Sequence, residues 1–195
     1  MIPIVILAAG SSSRMGKPKQ NLLYKGQTLL EKIIRSSEAA SDNVIIVLGA
    51  NYDVIKATIK DTHSEILYNN DWELGMSSSI KLAVSHIKQK YTDEEGVIFA
   101  VCDQPYVTSA LLTQIIETAD KVKQGVIACS YNGTVGVPAL FKKAYYSNLL
   151  KLSGQEGAKK IIEQHPQDVF SIPFRLGSAD IDTEEDFNNL LINSD

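Results

Sequence analysis

Cysteine and histidine are scarce in this chain of 195 residues, which holds Cys102, Cys129, His63, His86 and His165 and no others. The cysteines form no CxxC pair and stand away from the histidines, so the ligand spacing of a zinc site is missing. No histidine has a serine and a carboxylate at a telling spacing, which leaves Ser-His-Asp hydrolysis without its constellation. Positive charge is also short: 19 Lys and Arg against 23 Asp and Glu give a net charge of −4. That balance argues against bulk nucleic-acid binding, although a local cluster of cations can still hold a triphosphate on an acidic protein. No apolar run approaches the roughly 18 residues of a membrane span. Met1 leads straight into Ile-Pro-Ile-Val-Ile-Leu without a basic region or a cleavage site, so this stretch reads as a core strand and cytoplasm is the expected compartment.

What remains is ordinary globular composition, 44% hydrophobic and 22% charged, at a length suited to one α/β domain. Apolar runs at Ile4 to Ala8, Val44 to Leu48 and Gly96 to Val101 suit strands buried on both faces. Glu65 to Tyr68 and Val126 to Cys129 are shorter strand candidates. Between them, Thr28 to Ala40, Val54 to Ile59, Ser77 to Ile87 and Ser109 to Ala119 carry helical spacing. Two glycine-containing turns, Asn132-Gly133 and Gly136-Val137-Pro138, predict an antiparallel excursion. Helices follow at about 142–151 and 155–164, then a strand near 169–172. A last helix starts after Thr183, where Thr183 and Asp186 resemble a capping box. Repeated βαβ units predict a three-layer, Rossmann-like α/β fold with a mainly parallel twisted sheet and helices on both faces. Ligands bind such sheets at the carboxyl ends of the strands. Loop 10–19, segment 102–105 and segment 180–182 all fall on that edge.

Each of these segments admits a chemical reading and a plain one. Gly10 with Ser11, Ser12 and Ser13 lets backbone approach a ligand, and Arg14 and Lys19 add the charge that phosphate needs; the alternative is a solvated polar loop. The spacing is neither GxxxxGK[ST], since Gln20 follows Lys19, nor GxGxxG. Asp103 ends a buried strand, where a carboxylate either binds Mg²⁺ or caps the turn before Pro105. Asp180 and Asp182 alternate around Ile181 and on extended backbone face one side, so one of them can join Asp103 on a metal; otherwise Asp182 only helps to start the last helix. The segment Asn69 to Ser79 enters a helix whose N-terminus suits a base or phosphate, or whose serines merely cap it. Cys102 is better read as a small buried residue than as a nucleophile.

Six segments taken in order, LAAGSSSRMGKPK, NNDWELGMSSSIKLAV, CDQP, GVPALF, GQEGAKKII and DIDTEEDF, resemble the signatures of the MobA-like nucleotidyltransferases, in their molybdenum cofactor cytidylyltransferase branch. The resemblance implies one nucleotidyltransferase domain over residues 1–195, with a nucleotide half at about 1–105 and an acceptor half at about 106–195. It implies Mg²⁺-dependent transfer of CMP from CTP to a molybdopterin-type cofactor with release of pyrophosphate, and possible delivery to a molybdenum hydroxylase apoenzyme. By position, Ala8, Ala9, Gly10 and Ser11 would lie against the nucleotide. Arg14 and Lys19 would hold the triphosphate, Ser77 and Ser78 would border the base and ribose, and Asp103 and Asp182 would ligate Mg²⁺. Arg14, Lys19 and Asp103 are thus the expected catalytic set. The chain departs from the pattern at Gln155, where aspartate is frequent, and at Val137, where a polar residue is frequent. Both departures fall in the acceptor half. Competing readings are GTP as donor, another phosphate acceptor, and a non-catalytic accessory protein for molybdenum hydroxylases. An NAD-dependent oxidoreductase would want an acidic residue after the second strand, and Leu48-Gly49-Ala50 supplies none.

Overall fold

The computed structural model describes residues 1–192. In chain order its elements begin with β1 (Ile4–Ala8), the short pair β2 (Leu23–Tyr24) and β3 (Gln27–Thr28), α1 (Leu29–Glu38) and β4 (Val44–Leu48). They continue with α2 (Tyr52–Lys56), β5 (Glu65–Tyr68), α3 (Met76–Lys90), β6 (Gly96–Val101) and α4 (Ser109–Lys121). The last third holds β7 (Val126–Tyr131), β8 (Thr134–Lys142), α5 (Tyr146–Leu149), α6 (Lys159–Gln164), β9 (Val169–Pro173) and α7 (Glu184–Ile192).

Seven strands form one sheet in the order β5-β4-β1-β6-β8-β7-β9, in which β8 alone runs against its neighbours. Strand β1 is buried along its whole length because both of its faces are covered. Ile4, Ile6 and Ala8 face a layer that includes Leu30, Ile33 and Ile34 of α1 and Leu112 and Ile115 of α4. Val5 and Leu7 face the opposite layer, with Ile80, Val84 and Ile87 of α3 and Ile161 and Ile162 of α6. Burying each such side chain contributes about 1.5–3 kcal/mol, so these two layers fix where the strand ends open. The chain leaves β1 for β4 on one side and reaches β6 on the other. That switch point opens a crevice at the carboxyl edge, beneath loop 10–19.

A smaller core joins the two ends of the chain. Met15, Leu22, Tyr24 and Leu29 pack with Ile181, Phe187 and Leu190, so the C-terminal helix is held against the first loop and the β2–β3 hairpin. Both predicted helix starts of this region are capping boxes. Thr28 and Glu31 exchange hydrogen bonds of 2.7 and 3.0 Å, and Thr183 and Asp186 exchange bonds of 2.8 and 3.2 Å.

The structure differs from the sequence-based expectation in several places, among them the helix expected from about 155, which begins only at Lys159. Gly136-Val137-Pro138 is not a turn but part of the nine-residue β8; the register shifts opposite it, between Ala128 and Cys129, and such an irregularity accommodates a proline that donates no ladder bond. Strand β8 also takes Lys142, so the helix expected from there begins only at Tyr146 after a 3₁₀ turn. Helix α2 lies two or three residues earlier than Val54 to Ile59, because Asn51 in the left-handed region starts it. The β2–β3 hairpin was not foreseen: its turn is Lys25-Gly26, both at positive φ, a weaker signal than Asn-Gly.

Candidate active site

Loop 10–19 is a folded object. Ser12 and Gly16 adopt left-handed backbone at φ 54° and 65°, and Met15 between them is buried in the small core. Beneath the loop lies Gln20, 1% exposed. Its amide donates to the carbonyls of Ala8 at 2.9 Å and Gly10 at 3.2 Å, and its oxygen accepts from Ser12 Oγ at 3.3 Å. Ser12 Oγ in turn accepts from the Lys19 N–H at 3.1 Å. One buried amide therefore ties both ends of the loop to the end of β1.

This scaffold aims Lys19 at two carboxylates. Its ammonium is hydrogen-bonded to Asp103 Oδ2 and lies 3.2 Å from Asp182 Oδ1. Arg14 Nη2 reaches Asp182 Oδ2 at 3.0 Å. Asp182 arrives beside Asp103 because the Ile181 N–H donates to the Asp103 carbonyl at 3.0 Å, while Gln104 Nε2 donates to the Gly177 carbonyl at 2.9 Å. Burial disfavours the Lys19 ammonium, but the charge of Asp103, its hydrogen bond and the charge of Asp182 outweigh that and hold its pKa above the ordinary lysine value. The second oxygen of Asp103, Oδ1, is buried and has no hydrogen-bond partner among the described residues. A buried carboxylate oxygen left open, with a second carboxylate sharing the same ammonium, is a donor set that fits a hard divalent cation such as Mg²⁺ or Mn²⁺. Asp180 stands apart: among the described residues it forms no ion pair. Burial, then the charge of Asp103, raises its pKa to about 6 against a hydrogen bond from Gln104.

Beside the loop opens a cavity of about 230 Å³. Ala9, Gly10 and Ser11 form one wall, and Trp72, Met76, Ser79 and Gln155 the other. Two close approaches build it. Gly49 lies so near Trp72 that an added Cβ would sit 2.5 Å from the Trp72 Cβ. Gly75, at φ +99°, packs on the Gly154 carbonyl, which a Cβ would approach to 2.4 Å and which accepts from the Ser77 N–H at 3.2 Å.

Of the residues expected at the site, Gly10, Ser11, Arg14, Lys19, Asp103 and Asp182 lie on this one edge. Ala9 lines the cavity too, whereas Ala8 is 2% exposed with its carbonyl taken by Gln20. Ser77 and Ser78 are not brought there. They line a separate open cavity of about 670 Å³ with Tyr68, Leu74 and Lys81, because one and two steps along α3 from Met76 turn away from the crevice, and only the third, Ser79, turns back. Asn69 holds the Ser78 and Ser79 hydroxyls at 2.8 and 2.9 Å.

Gln20 was missed, while Trp72, Met76 and Ser79 were marked only as members of the Asn69 to Ser79 segment and Gln155 only as a departure from the family pattern. For Ser79 the helical period was the usable signal; Gln20 carries none, since its role depends on burial. Gln155, expected in the acceptor half, lines the same cavity as Ala9, Gly10 and Ser11. The histidines lie elsewhere: His86 on Glu65 at 2.9 Å, His63 by Glu38 at 3.6 Å, and His165 against the Tyr145 ring. The Cys102 thiol, buried and next to Asp103, is pushed up to about 12 and is no nucleophile at neutral pH. Among the described residues, no helix is long and apolar enough to cross a membrane.

Comparison with known proteins agrees with this architecture. The model of the MobA-like NTP transferase domain matches residues 4–169. Nicotine blue oxidoreductase of Paenarthrobacter nicotinovorans is 27% identical over 202 aligned positions, covering 96% of this chain and 95% of that protein. Rv0371c of Mycobacterium tuberculosis H37Rv, solved in complex with manganese, superposes with a TM-score of 0.82 at 26% identity over 98% of each chain. An Rv0371c homologue from Mycobacterium sp. strain JC1 gives 0.84 at 28% identity, covering 98% of this chain and 96% of that one. A family model that matches residues 4–169, most of the chain, means that this protein belongs to the MobA-like NTP transferase family.

Proposed function

We propose that this nucleotidyltransferase moves CMP from CTP to the terminal phosphate of a molybdopterin-type cofactor. One observation carries the reading: Lys19 and Arg14 meet the carboxylates of Asp103 and Asp182 beside the cavity formed by Ala9, Gly10 and Ser11. A phosphate oxygen of the acceptor attacks the α-phosphorus of CTP, a new P–O bond forms, and the bond to the β-phosphate breaks to release pyrophosphate. The nucleophile is already anionic at neutral pH, so no general base is required and the absence of a histidine from the site is no obstacle. Arg14 and Lys19 hold the triphosphate and stabilise charge on the departing pyrophosphate. Asp103 and Asp182 would hold Mg²⁺, whose chemistry there would be to neutralise phosphate charge.

Ala9, Gly10 and Ser11 border the nucleoside from one side, and Met76, Ser79 and Gln155 take the part first assigned to Ser77 and Ser78. Residues 1–195 act as one domain, with the acceptor held toward the β7–β8 side. There a second open cavity of about 560 Å³ lies between Tyr131, Thr134 and Arg175, whose guanidinium suits an anionic acceptor. The product would pass to a molybdenum hydroxylase apoenzyme in the cytoplasm. Pyrophosphate release measured with CTP, GTP and ATP, with and without molybdopterin cofactor, tests the reading. Release that is fastest with CTP and depends on the cofactor supports it, and no release with any triphosphate refutes it.

A second reading, an oxidoreductase, is favoured by the nicotine blue oxidoreductase relative, matched over 95% of its length. Oxidation of NADH or NADPH by the protein in the presence of a quinonoid dye, without pyrophosphate release, would select it.

A further inference from the structure

The cations of this site are already spent. Arg14 and Lys19, the groups available to a triphosphate, are both engaged by Asp182, and Lys19 by Asp103 as well. Within these ion pairs two carboxylates and two cations cancel, which weakens the pull of the pairs on a dication and on a polyanion alike. A divalent cation approaching Asp103 and Asp182 meets the Lys19 ammonium between them. A triphosphate approaching Arg14 and Lys19 finds their charge neutralised. We infer that Lys19 and a divalent cation compete for one position between Asp103 and Asp182, so that the site takes the metal and the triphosphate together, by exchange of ion-pair partners.

Three observations support exchange over simple addition. The ammonium contacts one oxygen of each carboxylate, as a bridging cation would. The other Asp103 oxygen is left buried and open, a donor that Lys19 does not use and that a metal with more ligand positions can. Lys19 is anchored through its backbone N–H on Ser12, so its side chain can turn from the carboxylates to a ligand along the loop without moving the loop. Once phosphates draw off Arg14 and Lys19, the carboxylates regain two negative charges and bind the metal. Each ligand thus strengthens the other by the same factor, as linkage requires.

This inference rests on the phosphate and metal roles proposed above, and its test needs neither nucleotide nor turnover. Mn²⁺ alone is titrated into the nucleotide-free protein and free ion is read by its electron paramagnetic resonance signal. Lys19→Gln is expected to bind Mn²⁺ about ten-fold more tightly than wild type, and Asp103→Asn added to Lys19→Gln to remove that gain. Unchanged or weaker Mn²⁺ binding by Lys19→Gln overturns the exchange, as does a gain that survives Asp103→Asn. Should Lys19→Gln lose the wild-type circular dichroism, Arg14→Gln, at a side chain 68% exposed, is judged by the same criterion. A gain in Mn²⁺ binding without pyrophosphate release would keep the exchange and refute the reaction. The converse would keep the reaction and refute the exchange.

Discussion

The Ile181 N–H donates to the Asp103 carbonyl at 3.0 Å, and this backbone bond puts two carboxylates from the middle and the last part of the sequence on one ammonium. Asp103 comes from the end of a central strand and Asp182 from the entrance to the last helix. Much of what is expected of the molecule depends on how firmly that junction and the loop beneath it are held.

Lys19→Ala and Asp103→Ala should each lower the rate of pyrophosphate release by about two orders of magnitude or more, the scale seen when a preorganised charge is removed from a transition state. Neither should unfold the protein, because the core layers do not include them. Initial rates with CTP and a circular dichroism spectrum of each variant check this. Near-native turnover in either would sink the assignment.

Gln20→Leu should be worse for the loop than its mild chemistry suggests. It leaves the carbonyls of Ala8 and Gly10 and the Ser12 hydroxyl without their buried partner, at a cost of about 1–3 kcal/mol for unsatisfied groups. A lower melting temperature and about ten-fold weaker CTP binding are expected together. Emission from Trp72, the single tryptophan and a wall of the cavity, reports the binding.

Both thiols should be silent in the folded protein. Burial pushes Cys129 up to about 12, and burial with the charge of Asp103 does the same for Cys102. At pH 8 a disulfide reagent should find essentially no reactive thiol until denaturant is added, and then two. Rapid native-state labelling at Cys102 would reopen it as a nucleophile.

Asp168 is one expected source of acid sensitivity. Its carboxylate accepts from Tyr145 Oη at 2.6 Å and from the Gly125 N–H at 2.9 Å, and these bonds, the phenol's first, hold its pKa below the usual range. A depressed carboxylate contributes stability that is complete above the unfolded pKa, near 4, and is lost as pH falls through the folded value. Asp168→Asn should therefore cost about 1 kcal/mol at pH 7, a figure kept low because the pair is half-solvated. The gap to wild type should close below about pH 4. Urea unfolding of both proteins from pH 3 to 7 measures it.

The parts legible in the sequence were those set by local pattern. Continuous apolar runs gave β1, β4 and β6, and the placing of Asp103 and of loop 10–19 followed from where those runs stop. The alternation of Asp180, Ile181 and Asp182 pointed to a carboxylate joining Asp103, although only Asp182 reaches the cations. What stayed hidden depends on tertiary contact. Pro138 argued for a turn because a lone sequence does not reveal that a register shift in the partner strand makes room for it. Gln20 appeared only as the residue that broke a Walker pattern. Its use comes from being sealed under the loop. Gln155 is separated from loop 10–19 by sequence distance and returned to it by the contact of Gly154 with Gly75.

Because Gln155 and Asp182 follow loop 10–19 far along the sequence, the loop is made long before the site can be finished. A nascent chain that stops short of Asp182 carries the complete loop and the first carboxylate, yet its Lys19 has only one partner and its Arg14 lacks the carboxylate it pairs with. Emergence of the segment through Asp182, not the making of the loop, is then the step after which the centre can assemble.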